Sequence, residues 1–187
     1  MTTGLGMERS DFARLRVLLL SGKTHGAQTL RAVLSLAGVT NILFIDDPKK
    51  ALDLLALENF DAVYADDNCE RVSDLTFAEA VRRRGGILNP MMPVFVFQEQ
   101  ARRKDVEEAR DTGATDFLTS PISPKTVMAK LEAALTNPRP FIKAPDFFGP
   151  DRRAKERPVW SGEERRSRVA RKVTVEKGKL PPDTVLL

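Results

Sequence analysis

Five short apolar runs, each followed by a segment with helical spacing, constrain this chain more than any other feature. Arg16-Val-Leu-Leu-Leu20 is stopped by Ser21-Gly22; Asn41-Ile-Leu-Phe-Ile45, Ala62-Val-Tyr-Ala65 and Val94-Phe-Val-Phe97 follow, and Asp116-Phe-Leu118 is a shorter fifth. The runs are apolar throughout rather than alternating, which is the pattern of strands buried on both faces of a parallel sheet. Between them, Leu30, Val33, Leu34 and Ala37 recur at i, i+3, i+4 and i+7, with Gly38 as the C-cap. Pro48 opens a second helix with Ala51, Leu54 and Leu55 inward. The spacing predicts three more helices: residues 74–84 ending at Gly85-Gly86, residues 102–111 closed by Gly113, and residues 124–136 with Val127, Leu131 and Leu135 inward. Five strand–helix alternations predict an α/β fold, a doubly wound five-stranded parallel sheet with helices on both faces, because parallel neighbours need right-handed crossovers.

In such sheets functional groups lie beyond the carboxyl ends of the strands. Here those positions hold Ser21-Gly22, Asp66-Asp67, Gln98 and Ser120.

Charge divides the chain. Residues 1–138 hold 17 Lys+Arg against 19 Asp+Glu, whereas residues 139–187 hold 13 against 7, so the basic excess sits at the C-terminal end. This reads as a polar, frayed N-terminus over residues 1–14, a folded domain over 15–137, and a largely irregular Arg-rich tail over 138–187 that seeks phosphates or acidic surfaces. Pro138, Pro140, Pro145 and Pro150 interrupt any helix there. Cys69 is the only cysteine and His25 the only histidine, which excludes an internal disulfide and the usual Cys/His zinc sites. With no stretch of signal-peptide type and no apolar run near the roughly 20 residues that span a bilayer, a cytoplasmic protein is expected.

Over residues 15–137 the chain resembles the response-regulator receiver (CheY-like) family. Asp61-Ala-Val-Tyr-Ala-Asp66 looks like that family's third strand, ending on the phosphoacceptor aspartate. Met92-Pro-Val-Phe-Val-Phe97 looks like its fourth, and Gly113-Ala-Thr-Asp-Phe-Leu-Thr-Ser-Pro121 is the most specific match. The resemblance implies a CheY-like sheet and, in an ordinary member, Mg²⁺ held by two further acidic residues after the first strand. Here those positions are Ser21 and Gly22. The phosphate-contacting hydroxyl is replaced by Gln98 and the phosphate-pairing lysine by Ser120, so Mg²⁺ is not expected and no catalytic residue is assigned. Asp66 is either a phosphoacceptor with an unusual site or a leftover carboxylate that is structural or solvated. Asp46-Asp47 fit as the polar start of the following helix, Phe117 as core, His25 as a surface residue, and Arg82-Arg83-Arg84 as cations at a helix C-terminus complementing its dipole.

In the tail, Gly149-Pro-Asp-Arg-Arg153 and Gly162-Glu-Glu-Arg-Arg166 repeat a Gly-x-acid-Arg-Arg pattern. Arg152, Arg153, Arg157, Arg165, Arg166 and Arg168 face one lysine in this stretch, Lys155, and surround the only tryptophan, Trp160. Arginine suits bidentate contacts to phosphate or a guanine edge, and an exposed Trp suits base stacking. A doubled unit suits a ligand with two equivalent halves, such as a cyclic dinucleotide. Arg153-Ala-Lys-Glu-Arg157 also has the Arg-x-x-x-Arg spacing of PilZ-type cyclic di-GMP binders. Receiver and tail together resemble the CheY-like cyclic di-GMP effectors (Cle proteins). That resemblance implies a non-enzymatic signalling protein whose ligand orders the tail and whose partner is the flagellar motor or an attachment system. Asp151, Glu163 and Glu164 either accept from guanine or balance charge. The other readings are a phosphorelay regulator using Asp66 with a histidine kinase, and a tail that binds nucleic acid or an anionic surface by charge. Val173 and Val175 alternate as in a strand that pairs at an edge once ligand is bound.

Overall fold

The computed structural model describes Met7 and residues 9–22, 24–66, 72–151 and 171–173. Its main sheet contains β1 (Arg16–Leu20), β2 (Asn41–Ile45), β3 (Ala62–Asp66), β4 (Val94–Gln98) and β5 (Asp116–Thr119), all parallel in the order β2-β1-β3-β4-β5. The expected doubly wound sheet is therefore present, with all five strands where the apolar runs lie. The helices are α1 (Arg9–Ala13), α2 (His25–Leu36), α3 (Pro48–Leu57), α4 (Phe77–Arg83), α5 (Arg103–Asp111) and α6 (Pro124–Thr136). None is long and apolar enough to cross a membrane.

The sheet separates two cores. On one face Leu18, Leu20 and Val63 pack with Leu52 and Leu55 of α3, Val81 of α4 and Ala109 of α5. On the other, Val17, Leu19 and Tyr64 pack with Leu30 and Leu34 of α2 and Val127 and Leu131 of α6. Every residue of β3 is buried, which explains its unbroken apolar run and places Asp66 at the end of the most enclosed strand. Each aliphatic side chain so buried contributes about 1.5–3 kcal/mol.

Three expectations need correction. Residues 9–13 are helical rather than frayed, and Phe12 is buried in the second core, so this segment closes the base of the domain. The helix expected from residue 74 begins at Phe77, where Thr76 and Glu79 form a reciprocal capping box. The largest correction concerns the region beyond residue 137. Within the tail expected to be largely irregular, β6 (Phe141–Ala144) and β7 (Phe147–Pro150) form an antiparallel hairpin, and β8 (Arg171–Val173) pairs with the other side of β6. The prolines exclude helix, but Pro145 falls in the turn and Pro150 at a strand end, where a missing N–H costs little. Val173 is thus in a strand, while Val175 lies outside the described residues.

Arg82 carries that hairpin. Far from a solvated cation at a helix end, it is 1% exposed. Its Nε donates to Gly113 O at 3.0 Å and its Nη1 to Pro90 O and Met92 O at 2.6 and 2.9 Å. The guanidinium also lies against the ring of Phe141, itself 3% exposed. Beside it the backbones of hairpin and receiver nearly touch. A Cβ on Gly113 would stand 2.7 Å from Phe148 O, and one on Gly149 would stand 2.7 Å from the Gly113 Cα. Gly113 also has φ +88°, which favours glycine on its own account.

Candidate functional site at the carboxyl ends of the strands

The topology brings together Ser21 and Thr24 after β1, Asp66 at the end of β3, and Gln98 and Glu99 at the end of β4. Ser21 is fully buried and Asp66 is 4% exposed. The Ser21 hydroxyl donates to Asp66 Oδ2 at 2.7 Å, and the Thr24 hydroxyl donates to the same oxygen at 3.3 Å. Thr24 is also the N-cap of α2, its oxygen accepting from Ala27 N–H at 3.2 Å. A third loop joins the network where Glu99 Oε1 accepts from Gly26 N–H at 2.8 Å, setting a carboxylate on the N-terminus of α2 where the helix dipole favours it. Gly26 leaves room for this approach, since a Cβ there would sit 3.1 Å from Glu99 Oε1.

Among the described residues, nothing stands within 4 Å of where a side chain on Gly22 would begin. Gln98 is half-buried, and its Oε1 has no hydrogen-bond partner among the described residues; Ser120 is exposed. On the core side of Asp66, Tyr64 stacks on Phe95 at 4.7 Å, and burial pushes its phenol far above the usual value, so it stays neutral.

The residues present do not fit a magnesium site. Mg²⁺ asks for near-octahedral oxygen ligands and a matching count of negative charge. The described residues contain no cluster of three His, Cys, Asp or Glu side chains that could hold a metal. After β1, where further carboxylates would be needed, Ser21 and Thr24 instead donate hydroxyls to Asp66.

A strand-end aspartate, a five-stranded parallel sheet in 2-1-3-4-5 order and a loop after β5 beginning with Ser120-Pro121 define the site's frame. The model of the response regulator receiver domain matches residues 17–132. The chain belongs to the response regulator receiver family. Among curated relatives, this receiver is 27% identical over 126 residues to the response regulator MprA of Mycolicibacterium vanbaalenii, a match covering 67% of this chain and 52% of the relative. It thus spans about half the length of that relative. It is 24% identical to the chemotaxis protein CheY of Pseudomonas aeruginosa, over 63% of this chain and 94% of the relative. In fold it is similar to the receiver domain of the sensor histidine kinase PA1611 of Pseudomonas aeruginosa, at TM-score 0.54 and 17% identity, over 66% of this chain and 98% of that one. That protein was solved with a magnesium ion coordinated in its active-site cleft.

Of the site residues expected from sequence, the receiver brings Asp66, Ser21 and Gly22 together. Asp47 caps α3 as expected, accepting from Lys49 and Lys50 N–H, and Phe117 lies in the core. His25 is exposed at the start of α2. Asp151 is elsewhere: its N–H donates to Pro140 O at 2.7 Å and its carbonyl accepts from Arg139, whose guanidinium also reaches Thr115 O just before β5. That is the opposite end of the sheet from Asp66. Arg152, Arg153, Arg157, Trp160, Arg165, Arg166 and Arg168 lie outside the described residues, as do Asp67 and Cys69. Gly149, the glycine of the first Gly-x-acid-Arg-Arg unit, has a packing reason in its approach to Gly113.

Sequence reasoning missed Thr24, Glu99 and Arg82. Thr24 was legible as an N-cap one residue before the helix. Glu99 carried no local signal, because its partner Gly26 lies 73 positions away.

Proposed function

We propose that this receiver-domain protein is a non-enzymatic signalling module, degenerate in its phosphorylation site. Its Arg-rich segment binds cyclic di-GMP and so changes contact with a partner protein, in the flagellar motor or an attachment system. The observation that carries the first half is the Ser21–Asp66 hydrogen bond. An acceptor that reacts with a phosphoryl group needs cations around it to hold the developing charge. Among the described residues the carboxylate accepts from two neutral hydroxyls, Ser21 and Thr24, while Gln98 and Ser120 stand where other receivers supply a hydroxyl and a lysine. The second half rests on the doubled arginine pattern around Trp160 and on the docked hairpin, which holds the beginning of that segment against the receiver.

The test is a titration of the full chain with cyclic di-GMP, against GTP and cyclic di-AMP, followed by Trp160 fluorescence and calorimetry. Saturable, guanine-selective binding that is lost in Arg152→Ala/Arg153→Ala is the expected outcome. No heat with cyclic di-GMP near millimolar concentration overturns it. Binding that ignores nucleotide identity and falls steeply with salt assigns the segment to nucleic acid or anionic surfaces instead.

The retained Asp66 favours a second reading, a phosphorelay regulator served by a histidine kinase. Labelling by a kinase or by acetyl phosphate that disappears in Asp66→Asn establishes it.

A further inference from the structure

β2 is an edge strand without the usual protections of one. Among the described residues it is hydrogen-bonded to β1 alone, so one side of its backbone lies outside the ladder they form. Natural edges are blunted by charge, proline, bulges or short length. Asn41-Ile-Leu-Phe-Ile45 has no charge and no proline, and it keeps regular register with β1 over all five residues. Each of the other four strands in this sheet has at least two buried residues, whereas β2 has none. Ile42 and Phe44 lean on the α2–α6 core and Ile45 on the opposite one, each only partly covered.

The surrounding surface points the same way. The exposed large apolar side chains among the described residues are Leu43 at 39%, Leu36 at 74% and Leu57 at 77%. Leu36 ends α2 and Leu57 ends α3, the two helices joined to β2. The other edge of the sheet looks different: β5 has four residues, and its Asp116 is held by Lys130 at 2.7 Å.

We propose that β2 is a self-association edge, at which two copies of this chain pair antiparallel about a two-fold axis at Leu43. Leu43 is the central residue of the strand. The axis therefore sets Asn41 opposite the partner's Ile45, Ile42 opposite the partner's Phe44, and Leu43 opposite itself. Alternate residues share a face. Ile42 and Phe44 of both copies then form one four-residue apolar patch that closes the half-open core beneath α2. Absence of charge is what suits this strand to its own copy, because like charges directly opposite repel. On the other face α3 runs antiparallel to the partner's α3. Two carboxylates there are already held within the chain, Asp53 by Arg84 at 2.7 Å and Glu58 by Arg16. A five-residue strand alone falls short of the roughly 800 Å² per partner of a standard interface. That limited area fits a concentration-dependent dimer, and an isologous contact closes at two copies.

Sedimentation of the full chain from about 1 µM to about 1 mM tests this. A monomer–dimer equilibrium is expected, weakened about tenfold or more by Leu43→Lys, which sets two ammonium groups across the axis. Circular dichroism melting of that variant separates lost pairing from lost fold. Leu43→Cys in a Cys69→Ser background provides a second readout. Cα atoms about 4.5–5.5 Å apart across an antiparallel pair lie within disulfide reach, so oxidation is expected to yield a covalent dimer. Thr119→Cys on the opposite edge is expected not to do so. A monomer over the whole range, a dimer indifferent to Leu43→Lys, or assembly beyond two overturns the proposal.

Discussion

The guanidinium carbon of Arg82 lies 5.1 Å from the centre of the Phe141 ring. One buried cation thus joins α4, the loops before β4 and β5, and the C-terminal hairpin. Arg82→Leu removes the donors to Pro90, Met92 and Gly113 while leaving those carbonyls enclosed. A loss of about 3 kcal/mol or more is expected, read from urea unfolding. Hydrogen exchange at Ile142 and Phe148 is expected to accelerate with it.

The same residue gives a pH signature. Burial pulls the Arg82 guanidinium well below the ordinary arginine value, down to about 9. Below about 9 folded and unfolded chains both hold the proton, so Arg82 adds no pH dependence there. Above that value the unfolded chain binds more protons and stability rises with pH. The stability difference between the native chain and Arg82→Leu is therefore expected to match at about pH 6 and about pH 8, then grow in the native chain's favour above about pH 9. A difference that shrinks above pH 9 contradicts this.

Ser21 separates a structural Asp66 from a reactive one. Ser21→Ala deletes the 2.7 Å donor to Asp66 and is expected to cost about 1.5–3 kcal/mol in chemical unfolding. Ser21→Asp/Gly22→Asp sets carboxylates beside Asp66. Their mutual repulsion is expected to lower the melting temperature in the absence of metal. Millimolar Mg²⁺ is expected to restore it in the variant and to leave the native chain unchanged.

Glu99 links the loop after β4 to α2. Glu99→Ala is expected to cost about 1 kcal/mol, as the loss of a charged cap. Faster amide exchange at Gly26 and through residues 98–102 is expected to accompany it, and no change at Gly26 would rule out the contact in solution.

The parts of this fold that were readable are those governed by local pattern. Five uninterrupted apolar runs become five parallel strands, and α6 spans the residues that its spacing predicts. Asp47 and Gly38 were equally readable, because capping and positive φ are decided within a few residues. Arg82 was misread because a cation at a helix end has a sufficient local explanation; the carbonyls that hold it come from two distant loops. The hairpin was hidden for a related reason. Phe141, Phe147 and Phe148 sit in four-residue strands among prolines, and they make sense only once Gly113 and Arg82 offer a surface to dock on. At the site, Asp66, Ser21 and Gly22 followed from strand ends alone, whereas the reach of Glu99 to Gly26 depends on how two loops meet in space.

The small C-terminal sheet has a further consequence. β6 holds β7 on one side and β8 on the other, so the two flanking strands run parallel, roughly 10 Å or two strand spacings apart. The chain that leaves at Pro150 must therefore return to Arg171 at the same sheet. In polymer terms the two points where the chain leaves and rejoins the described structure are held in one sheet, so part of the closure entropy between them is met by the pairing of β8. Anything that grips the chain between them pulls on both of its anchors. The free energy of that grip is shared with strand β6, and through Phe141 with the arginine buried beneath it.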